Sequence, residues 1–255
     1  MVNKNSKTVK LKGGLGNQLF QYSFALFLRK KFDTEINLEI SWYKEQDFRK
    51  FELNNLLLNN EFSLIESAPS YLNNKINNCF FSEKLVTFLI KRNYYLPLNF
   101  FDGYWQEIFF ASFLKNINLF KPDLLKKKIN NGYYVIHIRR GDFLKSKAHL
   151  VLSDEYYLKY VDFFRDKKLY IISEDEEHAV NLKNKIKFDS EYYKCDALEA
   201  FNVIYNACGG ISSNSTFCWW PIFLSENRNW FMPHQWLKAI NIIDHNLAIP
   251  KTIII

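Results

Sequence analysis

The sequence predicts an α/β fold with parallel β-sheets of Rossmann type. In the second half of its 255 residues, short apolar segments alternate with segments of helical length, which is typical of a parallel sheet covered by helices. The first half opens with a strand candidate, a glycine-rich turn and an apolar helix candidate, the first unit of the same fold. Hydrophobic residues make up 48% of the chain, which excludes a disordered, collagen-like or disulfide-dependent protein.

The elements of the first half follow from apolar periodicity and turn residues. They are a strand over 8–11 and helices over 17–32, near 82–92 and within 101–120. Pro122, a lysine run and an Asn-Asn-Gly turn then indicate a domain boundary. The predicted domains are therefore residues 1–130 and residues 131–255.

The second half is more regular. Its predicted strands are 133–138, 169–172, 186–188, 211–213 and 230–232, and its predicted helices are 154–164, 174–184, 197–208 and 217–224. Ser153 stands where the N-cap of the first of these helices is expected. Trp219 and Trp220, in the last helix, are predicted to be core residues.

The chain is basic, with a formal net charge of +7, which suggests anionic partners such as phosphorylated small molecules, acidic lipid or nucleic acid. Nucleic-acid binding is the competing interpretation. Against it, the lysines are scattered and the sequence contains no readable nucleic-acid recognition module. No apolar run approaches the roughly 18 residues that cross a bilayer, and the start lacks a secretory leader pattern. We expect a cytoplasmic protein, soluble or peripheral at the inner membrane.

The most informative segment is HIRRGD, residues 137–142. It ends an apolar strand, and ligands of open parallel sheets bind at the carboxyl ends of strands. Guanidinium groups hold phosphate oxygens in bidentate pairs, so His137, Arg139 and Arg140 predict a diphosphate site. Alternation along the strand places His137 and Arg139 on one face and Arg140 elsewhere. A structural ion pair between Arg140 and Asp142 is the alternative.

Two further motifs predict helix N-termini that can receive an anion or a polar sugar. GGLGNQ, residues 13–18, lacks the third glycine of a dinucleotide loop and the Lys-Ser/Thr of a P-loop. What remains is a close backbone approach at Gly14 and Gly16, or else a plain tight turn. The second motif offers hydroxyl and backbone N–H groups, or else simple helix capping. Its candidate residues are Asn214, Ser215, Thr216 and Phe217.

Several familiar motifs are missing from the sequence. There is no Asp-x-Asp triplet for a divalent ion on a nucleotide diphosphate, no HExxH and no Cys/His ligand cluster. We therefore predict phosphate binding by arginine and helix dipoles, with no metal and no cofactor. The sequence also lacks the Gly-x-Ser-x-Gly motif that carries the nucleophile of α/β-hydrolases, so it gives no support for a hydrolase.

In this order and spacing the motifs resemble those of the α-1,2-fucosyltransferases of glycosyltransferase family 11. The matching segments are KLKGGLGNQLFQYSFA, GYWQ, HIRRGDF, LSDEYY, SNSTFCWW and WFMPHQW, which together span most of the chain. The resemblance implies a GT-B-like architecture, with two Rossmann-like halves and the active site in the cleft between them. Residues 1–130 would then face the acceptor and residues 131–255 would bind GDP-fucose.

The resemblance also implies a reaction and roles for residues. L-fucose would pass with inversion, and without a metal, from GDP-β-L-fucose to the 2-hydroxyl of a terminal galactose. Arg139 would hold the donor phosphates, His137 and Asp142 would line the same pocket, and Asn17 would orient the acceptor hydroxyl or the bridging oxygen. Contacts to the nucleotide diphosphate would come from Ser215, Thr216 and Phe217.

One departure from the family pattern concerns guanine recognition. The second acid usually found at the start of the helix before the NSxF motif is replaced by Ala200, which leaves Glu199 or Asp196 to read guanine. Candidate general bases are Asp142, Glu199 and an acid within residues 40–110, and a mechanism with little help from a base is a further alternative. Another GDP-sugar donor, for instance of mannose type, is an alternative. Lipid-linked O-antigen intermediates, lipooligosaccharide and free galactosides all fit as acceptors.

Overall fold

The computed structural model describes residues 6–57, 61–67, 83–94, 98–115, 120–121 and 132–255. The chain divides into two compact units, Met1–Leu119 and Phe120–Ile255, and each contains its own parallel sheet. The domain boundary predicted at residues 130 and 131 lies outside the described residues.

The N-terminal unit is a small α/β unit. Its elements are β1 Lys7–Lys10, α1 Leu15–Phe32, β2 Ile36–Glu39, α2 Leu53–Leu56, β3 Ser63–Ile65, α3 Glu83–Lys91, β4 Phe100–Phe101 and α4 Ile108–Lys115. Among the described residues the parallel sheet has the order β3-β2-β1-β4. Helix α1 is buried along most of its length and carries three basic residues in its last turn, which suit the negative end of the helix dipole.

The C-terminal unit carries a larger sheet. Its elements are β5 Tyr133–Ile138, α5 Asp154–Leu158, β6 Lys168–Ser173, α6 Glu176–Lys185, β7 Ser190–Tyr192, α7 Ala197–Asn206, β8 Gly209–Ile211, α8 Thr216–Leu224, β9 Asn229–Met232, β10 Gln235–Leu237, β11 Ile240–Asn241 and β12 Ile253–Ile254. The sheet is parallel in the order β12-β9-β8-β5-β6-β7, and β10 and β11 form an antiparallel pair.

Three predictions for this unit were wrong in detail. Residues 186–188 are not a strand. Their apolar side chains pack in the core, and the ladder partner of β6 is Ser190–Tyr192. Strand β8 begins at Gly209 rather than at residue 211. Its neighbouring strands come so close at positions 209 and 210 that only glycine fits there. At Gly210 φ is +150°, and an added Cβ would lie 1.8 Å from the Val135 carbonyl oxygen.

The third error concerns the helix predicted over 154–164. Helix α5 ends at Leu158 and a 3₁₀ turn follows at Val161–Phe164. Ser153 does occupy the N-cap position, but its side chain makes no capping hydrogen bond. The first turn of α5 instead carries Asp154 and Glu155, which favour the positive end of the helix dipole.

Within the described ranges, each sheet reverses its strand order at one position. In the N-terminal unit β2 and β3 lie on one side of β1 and β4 on the other. In the C-terminal unit β6 and β7 lie on one side of β5, and β8, β9 and β12 on the other. Ligands of open α/β sheets bind at the carboxyl ends of the strands beside such a reversal. We call these the N-terminal switch point (β1/β4) and the C-terminal switch point (β5/β8).

Candidate functional site

At the C-terminal switch point a buried histidine joins the two strands. His137, near the end of β5, is hydrogen-bonded through Nδ1 to Ser213 Oγ, which follows β8, at 2.8 Å. Burial, reinforced by the charge of Arg139, lowers the pKa of His137 to about 3. The imidazole is therefore neutral at physiological pH. It holds the segment before α8 in place and brings no positive charge.

Arg139 extends from the end of β5 and is 17% exposed. Its guanidinium forms ion pairs with the carboxylates of Asp142 and, at 3.3 Å, Glu174. It also lies over the ring of Phe143, 5.3 Å from the centroid. These contacts fix the orientation of the fork at the carboxyl end of the strand. A phosphate bound there would share the guanidinium with the two carboxylates.

Arg140 points to a different partner, as the alternation predicts. Its Nε donates to Asp175 Oδ2 at 3.0 Å, so the predicted alternative of a pair with Asp142 is wrong. Asp175 is also the N-cap of α6 and accepts from the backbone N–H of His178. That hydrogen bond, with the charge of Arg140, lowers the pKa of Asp175. Arg140 is therefore held by a structural carboxylate.

The segment before α8 is anchored on both sides. Asn214 is buried, and its Nδ2 donates to the carbonyl oxygens of Leu150 and Trp236 at 2.9 Å each. Tyr156 donates its hydroxyl proton to the carbonyl of Ser212. The side chain of Asn214, a predicted ligand contact, thus has a structural role.

Helix α8 begins immediately after this anchor. Ser215 takes the N-cap position in an extended conformation, without a side-chain capping bond, and Thr216 begins the helix. The ring of Phe217 lies 5.8 Å from that of His137. The structure therefore brings the start of α8 next to the HIRRGD segment. Trp219 and Trp220 are fully buried, which confirms their prediction as core residues.

The start of α7 separates the two acids that the sequence left open. Asp196 is the N-cap of α7, and its carboxylate accepts from the backbone N–H of Glu199 at 2.9 Å. Glu199 is exposed and accepts the hydroxyl proton of Tyr193 at 2.7 Å, which raises the pKa of Tyr193 to about 12. Ala200 is only 5% exposed. Both acids are exposed, but Asp196 is committed to a backbone N–H as the N-cap, whereas Glu199 is bonded to a side-chain hydroxyl.

At the N-terminal switch point the glycine turn closes directly onto α1. Gly13 has φ +82°, a left-handed conformation that favours glycine, and Gly14 is the N-cap of α1. Gly16 is buried in the first turn. Tyr43 donates its hydroxyl proton to the carbonyl of Gly13 at 3.1 Å.

The glycine turn contacts the loop that follows β4, and this contact was not predicted from the sequence. Gln106 Nε2 donates to Asn17 Oδ1 at 2.8 Å, and Lys12 forms an ion pair with Asp102 at 2.5 Å. The GYWQ segment thus lies against GGLGNQ. The positions of the two motifs could have predicted this contact, because one motif follows β1 and the other follows β4, the two strands of the switch point.

Among the described residues no three His, Cys, Asp or Glu side chains group closely enough to hold a metal ion, and independence from metals stays a prediction. None of the helices in the described part of the chain is long and apolar enough to cross a bilayer.

Comparisons with known proteins agree with this architecture. The family model for Glycosyl transferase family 11 matches residues 1–237. The chain is 25% identical to the O-antigen biosynthesis glycosyltransferase WbnK of Escherichia coli, over 91% of this chain and 95% of that protein. It is also 25% identical to an alpha-1,2-colitosyltransferase of Escherichia coli, over 85% and 87%.

Among solved structures, the fucosyltransferase NodZ from Bradyrhizobium superposes with a TM-score of 0.60 at 11% identity, over 88% of this chain and 94% of that one. At such low identity the likeness shows the fold alone. With the two parallel sheets, it confirms the predicted α/β, GT-B-like fold class.

Proposed function

Because the chain belongs to glycosyl transferase family 11, we propose that it is an inverting, metal-independent α-1,2-fucosyltransferase. Its donor is GDP-β-L-fucose, and the fucose passes to the 2-hydroxyl of a terminal galactose on a surface glycan or oligosaccharide. The similarity to an O-antigen biosynthesis glycosyltransferase supports a lipopolysaccharide precursor as the acceptor. Work on such a precursor would bring the protein into peripheral contact with a membrane.

One observation carries the proposal: the hydrogen bond between His137 and Ser213 across the C-terminal switch point. This bond holds the end of β5, with Arg139, beside the segment that leads into α8. A guanidinium and a helix N-terminus are both suited to phosphate oxygens. They meet where an open α/β sheet places its ligand.

The proposed mechanism is a single displacement at the anomeric carbon of fucose. The 2-hydroxyl oxygen of galactose forms a bond to this carbon and gives up its proton to a base, while the bond from the carbon to the β-phosphate oxygen breaks with its electron pair on GDP. Charged or dipolar groups that already face the developing charge supply much of the rate enhancement in such reactions. Arg139 and the N-terminal dipole of α8, near Ser215, Thr216 and Phe217, supply them here. Asp142 and Glu174 hold the guanidinium before the donor binds.

The guanine would be read by Glu199. Both carboxylates are exposed, but Asp196 accepts a backbone N–H as the N-cap of α7, whereas Glu199 accepts a side-chain hydroxyl proton, from Tyr193. The structural relative NodZ was co-crystallized with GDP, which supports a guanine nucleotide as part of the donor.

A second donor is favoured by one specific observation, the similarity to an alpha-1,2-colitosyltransferase. Colitose is fucose without the 3-hydroxyl, so both sugars present the same leaving group and the same anomeric carbon. The residues assigned to the diphosphate serve either donor equally. Discrimination between the two sugars must therefore come from groups that face the 3-position.

The test is incubation of the purified protein with GDP-fucose or GDP-colitose and a panel of β-galactosides, followed by linkage analysis of the product. We expect an α-1,2-linked fucosyl product and unchanged turnover in excess EDTA. A strict requirement for Mg²⁺ or Mn²⁺, or a different linkage, would contradict the proposal. Affinity for oligonucleotides without affinity for GDP would favour the nucleic-acid-binding alternative.

A further inference from the structure

The two carboxylates that pair with Arg139 are attached to the fold in different ways. Asp142 faces Nη2 and lies three positions along the same turn, so it moves with the arginine. Glu174 Oε1 lies 3.3 Å from Nη1 and follows β6, which pairs with β5 along the whole length of both strands. A partner at the end of a neighbouring strand fixes the guanidinium relative to the sheet, whereas a partner in the same turn does not.

Glu174 holds the backbone of the HIRRGD turn as well as a side chain. Its Oε1 accepts the backbone N–H of Arg140 at 3.0 Å. The next acid along the chain, Asp175, accepts from the side chain of the same arginine. The turn between β6 and α6 therefore holds Arg139 by its guanidinium and Arg140 by both its backbone and its side chain.

The glycine of HIRRGD leaves room for this carboxylate. A Cβ added at Gly141 would lie 2.8 Å from Glu174 Oε1 and 3.2 Å from Glu174 Cγ, so one of the two side chains would have to move. The backbone of Gly141 is not in the left-handed region, which means that glycine is present for space and not for conformation. Gly141 thus allows Glu174 to reach the turn that carries Arg139.

We propose that Glu174 is a positioning residue that aims the guanidinium of Arg139 at the phosphate oxygen on which negative charge develops. The inference rests on the proposed function for the identity of that phosphate. A fixed donor stabilises developing charge only when it already faces the position where that charge appears, and a long arginine side chain otherwise samples many rotamers. Glu174 acts through Arg139 and does not itself touch the donor.

Two substitutions at position 174 separate the accepting oxygen from the negative charge. Glu174→Gln and Glu174→Ala both remove the charge, but only glutamine keeps an oxygen that accepts N–H groups. We expect kcat at saturating GDP-fucose to fall by about 10²-fold in Glu174→Ala, as small displacements of a catalytic group can cause. In Glu174→Gln the loss should be no more than about threefold, since neutral hydrogen bonds are weaker than charged ones but have the same geometry.

The stoichiometry of GDP binding separates positioning from a folding defect. A partly misfolded variant would lose turnover and GDP-binding sites together. A misdirected guanidinium lowers kcat while every molecule still binds GDP, because the interaction that is lost is the one made in the transition state. Isothermal titration should therefore give one GDP per chain in the wild type and in both Glu174 variants.

Gly141→Ala tests the same geometry without changing any charge. The added methyl group would displace the Glu174 carboxylate, which is the far end of a flexible side chain, so kcat should fall about as much as in Glu174→Ala. In the double variant the methyl group has no carboxylate to displace. Its kcat should therefore lie within about threefold of that of Glu174→Ala, because residues that act through one contact do not add.

Glu176→Ala is the matched control, since Glu176 forms an exposed ion pair with Lys194 and such pairs contribute little. It should keep wild-type kcat. Wild-type kcat in Glu174→Ala would overturn the inference, and so would equal losses in the two Glu174 variants or losses that multiply in the double variant. If the wild type transfers sugar from neither GDP-fucose nor GDP-colitose, the proposed function itself fails, and this inference fails with it.

Discussion

The two switch points share a topology and differ in chemistry. The C-terminal one, between β5 and β8, brings together two arginines and three carboxylates. At the N-terminal one, between β1 and β4, amides predominate: Asn17, Gln18, Gln21 and Gln106 bond to one another or to the backbone. The same strand arrangement thus supplies a charged position suited to phosphate and a largely neutral position suited to directed hydrogen bonds.

The most severe way to test this contrast is to remove the charge of Arg139. We expect Arg139→Ala to abolish measurable transfer, since loss of one group that stabilises developing charge commonly costs about 10²–10³ in rate. Arg139→Lys should recover little, because an ammonium cannot form the planar, bidentate pair with phosphate. Initial rates at saturating GDP-fucose measure the loss.

Arg165→Ala serves as the matched control. Arg165 is exposed and pairs with Asp162 one turn away, and exposed pairs contribute little, so turnover should stay at the wild-type level. Retention of about a tenth of wild-type turnover in either Arg139 variant is incompatible with a loss of this size. It would mean that the charged character of the C-terminal switch point is structural only.

The contrast also shows which structural features can be predicted from sequence. Strand β5 has its predicted bounds, Tyr133–Ile138, because a continuous apolar run between turns has few other places in a folded domain. Strand β2 was missed and strand β7 was misplaced. Both depend on partner strands rather than on their own pattern: β7 reads Ser-Glu-Tyr, and its register comes from Leu169–Ile171.

The candidate site divides in the same way. The sequence could identify HIRRGD as an anion-binding segment, since arginine after a buried strand is unusual and has a clear chemical use. It could not show that His137 is neutral, because its low pKa follows from burial beside Ser213. Nor could it join Asn17 to Gln106, which are 89 positions apart.

A smaller effect is expected at the start of α7, where nucleotide recognition is assigned to one of two adjacent acids. Glu199→Gln should weaken GDP binding by about tenfold or more, since hydrogen bonds to charged groups contribute about 1.5–3 kcal/mol. Binding of ADP, which lacks the guanine N–H donors, should stay weak and unchanged. Isothermal titration with the two nucleotides gives both affinities.

Asp196→Ala is the companion variant for this prediction. It removes the N-cap of α7, and we expect a loss of about 1 kcal/mol in unfolding free energy with GDP affinity close to that of the wild type. If the two results were exchanged, with GDP binding lost in Asp196→Ala and kept in Glu199→Gln, the assignment of guanine to Glu199 would be wrong.

The smallest effect concerns the neutral histidine beneath the charged switch point. Burial and Arg139 lower the pKa of His137 to about 3, below the ordinary value of about 6.5. Above pH 6.5 the side chain is neutral in both states. As the pH falls below 6.5 the unfolded chain takes up a proton that the folded protein does not, so stability decreases. His137→Asn keeps a polar group within reach of Ser213 but has no such titration.

The wild-type advantage in unfolding free energy over His137→Asn should therefore shrink by about 1 kcal/mol between pH 7 and pH 5.5, as one proton of linkage requires. Urea denaturation of both proteins at each pH measures the difference, in which carboxylates common to the two proteins cancel. An advantage that grows on acidification would show that the folded protein protonates His137. In that case the switch point would carry three cations, and the imidazole would take part in holding phosphate rather than only in fixing the segment before α8.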